Sequence, residues 1–207
     1  TVSGTMSNCL GLMTLTHPGE VVILEASSHI VRCEGAGISR ICGLMPRVIE
    51  GTYGQIPIGE IERVISIFSK AVGFPRPTLI CLENTHNAAG GTYLTPEYIR
   101  EVKSIATKYG LKIYVDGARL FNAAIAQKIR PSELVKDADA LGFCLSKGLC
   151  CPFGSVLVGG KDVIEAARWN RQVLGGGMRQ AGIMAAAGLV ALDKMIDRLE
   201  EDHENAR

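Results

Sequence analysis

Residues 78–118 read TLICLENTHNAAGGTYLTPEYIREVKSIATKYGLKIYVDGA. The stretch opens on a continuous apolar run, 78–83, and passes into a loop rich in Asn and Gly, 84–91. Thr95-Pro96 has the form of a helix start, a hydroxyl N-cap followed by proline in the first turn. The helix it opens extends to the region of Tyr109, where Gly110 stops it. A second short β-rich run, 112–115, is closed by Asp116-Gly117. Strands that are apolar throughout, joined by a helix, are the pattern of parallel neighbours covered on both faces.

The same alternation extends in both directions. A helix over 6–15 precedes the strand Val21–Glu25, and apolar residues at 58, 61, 64, 65 and 68 mark a helical stripe over 57–70. After residue 118, the run 139–145 is a further strand ending in Ser146-Lys147-Gly148, and 155–158 is another. Two helices, 161–173 and 180–204, follow, separated by Gly175-Gly176-Gly177. The expected fold is α/β, a mostly parallel sheet with helices on both faces. Ligands of such sheets bind at the carboxyl ends of the strands. Glu25 to His29, Glu83 to Asn87, Asp116 with Arg119, and Lys147 all fall there.

Composition narrows the function classes. Hydrophobic residues make up 47% of the 207 and charged residues 21%, which suits one soluble domain with a sizeable core. Lys and Arg number 22 against 21 Asp and Glu, so the basic excess of a nucleic-acid binder is missing. Apolar runs such as 21–24 and 183–187 fall far short of the roughly 18 residues that cross a bilayer, and no signal-like segment opens the chain. Neither a membrane nor a nucleic-acid partner is expected. The seven cysteines stand at 9, 33, 42, 81, 144, 150 and 151, with no Cys-x-x-Cys pair. That spacing favours neither a disulfide framework nor a zinc site, so the expectations are a reducing cytoplasm and no metal.

Lys147 follows the apolar strand 140–145, so its stem is expected beside buried surface. A neutral lysine amine there is a nucleophile toward carbonyls. On its own it could equally be a solvated lysine at a strand end. Asp116, at the inner end of its strand, needs a cationic or hydrogen-bonding partner. A protonated pyridine nitrogen would serve, and so would Arg119 or the next helix start. Ser3-Gly4-Thr5 before a helix could cradle phosphate on amide N–H groups, or be an ordinary cap. The glycine triplet before Met178-Arg179 is a weaker candidate of the same kind. His29 could stack on a flat ring or face solvent. His86 sits on a polar loop, which favours function over a core position. A dinucleotide-binding reading fails, because no Gly-x-Gly-x-x-Gly follows a strand.

Six segments, in order along the chain, together resemble the L-threonine aldolase family. They are Ser3-Gly-Thr-Met-Ser-Asn8, Glu25-Ala-Ser-Ser-His29, Glu83-Asn-Thr-His-Asn87, Asp116-Gly-Ala-Arg-Leu-Phe-Asn122, Cys144-Leu-Ser-Lys-Gly-Leu149 and Gly175-Gly-Gly-Met-Arg-Gln-Ala-Gly182. The resemblance implies a pyridoxal-phosphate enzyme of the aspartate-aminotransferase fold (fold type I) that cleaves L-threonine or L-allo-threonine to glycine and acetaldehyde. It implies that Lys147 carries the cofactor covalently, Asp116 pairs with its ring nitrogen and His29 stacks on the ring. Gly4 and Thr5 would bind the phosphate. Arg119 would contact the ring hydroxyl or the substrate carboxylate, His86 would lie near the β-hydroxyl, and Arg179 would reach phosphate across a subunit boundary. The base is left open between His29, His86 and water. Family members are homo-oligomers with shared sites and are longer at both ends. Residues 1–207 therefore correspond to the cofactor-binding large domain, without the N-terminal segment and the small C-terminal domain. A cofactor-binding but catalytically silent fragment is the alternative.

Overall fold

The computed structural model describes residues 1–69 and 72–207. Six strands form one sheet: β1 (Val21–Glu25), β2 (Met45–Ile49), β3 (Pro77–Glu83), β4 (Lys112–Asp116), β5 (Ala140–Cys144) and β6 (Ser155–Gly159). Their spatial order is β2-β1-β3-β4-β5-β6, and every neighbouring pair is parallel except β5 with β6. All five residues of β1 and of β5 are buried, which is why both runs carry no polar alternation.

Successive residues of each strand supply two cores. Ile23, Ile80, Leu82, Ile113 and Val115 point to one face, where they meet α4 (Ile58–Ser69), α5 (Pro96–Tyr109) and α6 (Leu120–Gln127). Val22, Leu24, Leu79, Cys81 and Tyr114 point to the other, against α1 (Gly4–Leu15), α2 (His29–Arg32) and α3 (Gly37–Arg40). Helix α1 lies so close to the sheet that a Cβ on Gly11 would overlap the Tyr114 ring. A glycine is required there by that approach.

Helix α5 begins as its sequence indicates. The Thr95 hydroxyl accepts from Tyr98 N–H at 3.3 Å, Pro96 occupies the first turn, and Gly110 ends the helix in the left-handed region at φ 70°. The helix expected over 57–70 is present as Ile58–Ser69; Lys70, its expected last residue, lies outside the described residues.

The structure departs from expectation at the closing helix and in several elements that the sequence did not indicate. The closing helix 180–204 is two helices, α9 (Gly182–Lys194) and α10 (Leu199–Asn205). The chain turns at 195–198, which packs Met195 and Ile196 on the core and buries Leu199 to 2% exposure. Tertiary packing here overrides a helical period that runs on through the turn. The strand β2 and the short helices α2, α3 and α7 (Pro131–Val135), together with α6, were not expected. β2 contains Pro46 and Arg47 and is mostly exposed; it is tolerated as an edge strand, where the missing N–H costs no ladder bond. Between β6 and α9 runs α8 (Lys161–Val173), as the sequence indicates. Among the described residues no helix is long and apolar enough to cross a membrane.

Candidate active site

Two strand ends and two helix starts meet in a cavity of about 270 Å³. Ser3, Gly4 and Thr5 at the start of α1, His29 at the start of α2, Asp116 at the end of β4 and Lys147 just beyond β5 all line it. His29, Asp116 and Lys147 are placed by the rule that loops leave a parallel sheet at its carboxyl edge, and the start of α1 is brought to the same edge by packing on the sheet. The Ser3 hydroxyl caps α1 by accepting from Met6 N–H at 3.2 Å, which leaves the first amides of a twelve-residue helix facing the cavity with the positive end of its dipole.

Asp116 is 4% exposed. Its Oδ2 accepts from Asn8 Nδ2 at 2.8 Å and its Oδ1 from Ala118 N–H at 3.2 Å. Burial, and then the nearby charge of Glu83, push its carboxyl up from 3.8 to about 6; Glu34 acts in the same direction, while Asn8 and Lys147 act against it. Two carboxylates, Asp116 and Glu34, share the cavity with Lys147. Lys147 is half-buried and lines the same cavity as Asp116 without forming an ion pair with it.

His29, Glu34 and Asp116 place one ligand atom each within 4.8 Å of one another. Hydrogen bonds account for this proximity: Asn8 Nδ2 donates to Glu34 Oε1 and to Asp116 Oδ2, both at 2.8 Å, and His29 Nδ1 lies 3.0 Å from Glu34 Oε1.

A second, larger cavity of about 460 Å³ shares Lys147 as a wall and is lined by Arg119, Cys150, Arg198 and Asp202. Arg119 faces this cavity and not the first; its Nη1 donates to Asn87 Oδ1 at 3.1 Å.

The two remaining candidates stand apart. His86 is fully buried and lines neither cavity, contrary to a polar loop position. Its Nε2 lies 2.9 Å from Glu25 Oε2, and its Nδ1 accepts from Ala89 N–H at 3.3 Å. A partner strand supplies the carboxylate that makes burial tolerable, and no ring nitrogen is left over. Burial would raise the Glu25 carboxyl, but the Ser27 hydroxyl and amide, the Gly51 amide and His86 outweigh it and hold the group below its usual value. Arg179 is exposed on the turn before α9 and lines neither cavity.

Sequence reasoning gave no role to Asn8 or Glu34. Asn8 was visible only inside its motif, and Glu34 follows His29 at a spacing that matches no helical or strand period. Glu83, noted only as a strand-end acid, accepts from His29 N–H at 2.6 Å and from Asn87 N–H at 2.8 Å, tying together the loops after β1 and β3.

The model of the beta-eliminating lyase family matches residues 1–207. The chain belongs to the beta-eliminating lyase family. Among curated members, low-specificity L-threonine aldolase 1 of Arabidopsis thaliana is 44% identical over 207 residues, 99% of this chain and 58% of that protein. The low specificity L-threonine aldolase of Escherichia coli K12 is 39% identical over 206 residues, 99% of this chain and 60% of that protein. The chain therefore spans about 58% to 60% of the length of these lyase-family relatives. Among solved structures, Leishmania major threonine aldolase superposes with a TM-score of 0.81 at 19% identity, over 94% of this chain and 57% of that one. A Thermus thermophilus aspartate aminotransferase variant gives 0.75 at 16% identity, over 99% and 55%. The fold of this beta-eliminating lyase member is thus aminotransferase-like, as the family resemblance implied, and its mostly parallel sheet is the one its strand pattern indicated.

Proposed function

We propose that this chain is the cofactor-binding large domain of a pyridoxal-phosphate-dependent lyase that cleaves L-threonine or L-allo-threonine to glycine and acetaldehyde. The observation that carries this reading is the joint presence, in one cavity, of a buried Asp116 and a Lys147 that have no ion-pair partner among the described residues, and of the open amide end of α1. The residues fit the group: an anion-binding helix start for a phosphate, an acid for a ring nitrogen and an amine for an aldehyde. Gly4 and Thr5 would hold the phosphate, Asp116 the protonated ring nitrogen, and Lys147 the aldehyde carbon. When bound, the cofactor supplies an electron-withdrawing pyridinium that stabilises negative charge on the substrate Cα.

The chain's own groups do the rest. Asp116, costly as an isolated buried charge, keeps the ring nitrogen protonated and is itself stabilised by it. Arg119, at the wall of the larger cavity, receives the substrate carboxylate. His29 faces the first cavity and takes the proton of the β-hydroxyl as the Cα–Cβ bond breaks; His86 is excluded from that role by its two engaged nitrogens. Arg179 is left for phosphate in a neighbouring subunit, and the exposed Trp169, Ile183 and Leu189 support a homo-oligomer. The seven unbridged cysteines support a reducing, cytoplasmic setting.

The test is to add pyridoxal phosphate and divide the sample: one part is reduced with borohydride for mapping of the modified peptide, and the unreduced part is assayed for acetaldehyde from both threonine diastereomers. Labelling at Lys147 with acetaldehyde release is expected; labelling elsewhere, or none, overturns the reading. The share of the relatives' length that is covered favours a second reading, a fragment that binds cofactor without turnover. Label at Lys147 without acetaldehyde would select it.

A further inference from the structure

Glu34 follows α2 by two residues, and its side chain is 2% exposed. Its Oε1 receives two hydrogen bonds, from Asn8 Nδ2 at 2.8 Å and from His29 Nδ1 at 3.0 Å. Asn8 gives its other N–H to Asp116 Oδ2 at 2.8 Å, and its carbonyl accepts the Tyr114 hydroxyl at 2.9 Å. The amide is thereby fixed: its nitrogen faces two carboxylates and its oxygen faces a donor, so a flip would set lone pairs against lone pairs. An ionised carboxylate only accepts. In the neutral ring the His29 proton therefore sits on Nδ1, which leaves Nε2 with its lone pair. Nε2 makes no hydrogen bond among the described residues, and its ring lines the cavity shared by Lys147 and the start of α1.

We propose that Glu34 is a positioning residue that locks His29 in the Nδ1–H tautomer, with Nε2 as the acceptor toward the cavity, and that through Asn8 it orients the Asp116 carboxylate. The inference deepens the proposed function and rests on that reading for the use made of His29 and Asp116. The tautomer itself rests on Glu34, Asn8 and His29 alone. A charge-assisted hydrogen bond outweighs the small intrinsic difference between imidazole tautomers, so Nδ1–H predominates on the order of tenfold. Freed of Glu34, the ring reverts to a mixture. The backbone contributes as well: Glu83 Oε2 accepts the His29 N–H at 2.6 Å, so the main chain stays put when the side chain of Glu34 is changed.

The experiment records nitrogen-15 spectra of the His29 ring in the full cofactor-free chain, for wild type, Glu34→Gln and Glu34→Ala. The wild type is expected to show Nδ1–H. Glu34→Gln retains an oxygen that accepts from both Asn8 and His29, so it is expected to keep the same tautomer. Glu34→Ala is expected to lose that predominance. A wild type protonated on Nε2, or an unchanged tautomer in Glu34→Ala, overturns the proposal. If Glu34→Ala does not fold, Glu34→Leu fills the space without an acceptor and is read the same way. With pyridoxal phosphate and threonine added, Glu34→Ala is expected to keep the Lys147-dependent visible band and to lower kcat at least tenfold with KM little changed; an unaltered kcat overturns the positioning role. Failure of the wild type to form that band would sink the proposed function instead, while the cofactor-free spectra still decide the tautomer.

Discussion

Lys147 and Asp116 carry opposite charges into one cavity and remain unpaired, and this makes their substitution informative. Lys147→Ala is expected to remove the visible absorbance of bound pyridoxal phosphate; a band that survives it refutes the lysine assignment. Asp116→Asn is expected to retain the cofactor but to lower turnover on the order of a hundredfold or more, the scale of losing one preorganised electrostatic contact. Asp116 also makes a pH signature. Burial, with Glu83 next, raises its carboxyl from 3.8 to about 6, so between those values the folded chain binds more protons than the unfolded one. The penalty for burying this charge is absent below 3.8 and complete above about 6. Asp116→Asn is therefore expected to stabilise the cofactor-free chain above pH 6, by roughly 2–3 kcal/mol at most, with the gain vanishing toward pH 4. Urea unfolding across that range checks the sign. Lys147, Asp116, His29, Gly4 and Thr5 could be placed at the cavity from the sequence because the first three lie at or just beyond strand ends and the last two open a helix. Glu34 and Asn8 could not, since their roles arise only when α1 packs against β4. His86 misled for a related reason: the loop around it is polar, but Glu25 on a neighbouring strand supplies the partner that draws it inside.

At the scale of elements, α1 is the most constrained piece. Gly11 faces the Tyr114 ring, and Tyr114 in turn donates to Asn8. Gly11→Ala would gain about 1 kcal/mol of helix propensity but meet an overpacking cost of roughly 1–3 kcal/mol. A net loss of stability is expected, accompanied by weaker cofactor binding as α1 shifts its amide end. Thermal unfolding and cofactor titration read the two effects, and an unaltered affinity would separate α1 from the cavity. Thr95→Ala, remote from the cavity, serves as the control; it is expected to cost about 1 kcal/mol with cofactor affinity unchanged. Helix α5 was readable because all its signals are local: a cap, a proline and a glycine. The turn between α9 and α10 was not, because burial of Leu199 decides it.

For the whole molecule, the parallel sheet was legible from apolar runs, and its antiparallel edge was not. No local feature of residues 155–159 reveals the direction in which β6 meets β5. The exposed apolar residues of α8 and α9, with Trp169 79% and Ile183 78% exposed, exceed what scattered surface positions present. Sedimentation is expected to show an oligomer, and Ile183→Glu with Leu189→Glu is expected to shift it toward monomer. A monomeric wild type would refute the assembly proposed for it.

Lys147 is a partition between two chambers, one holding the open end of α1 and the other Arg119 and Arg198. A side chain that forms part of two walls cannot swing without enlarging one room at the expense of the other. Its length and rotamer therefore set the size of both at once, and truncating Lys147 is expected to merge the two chambers into one.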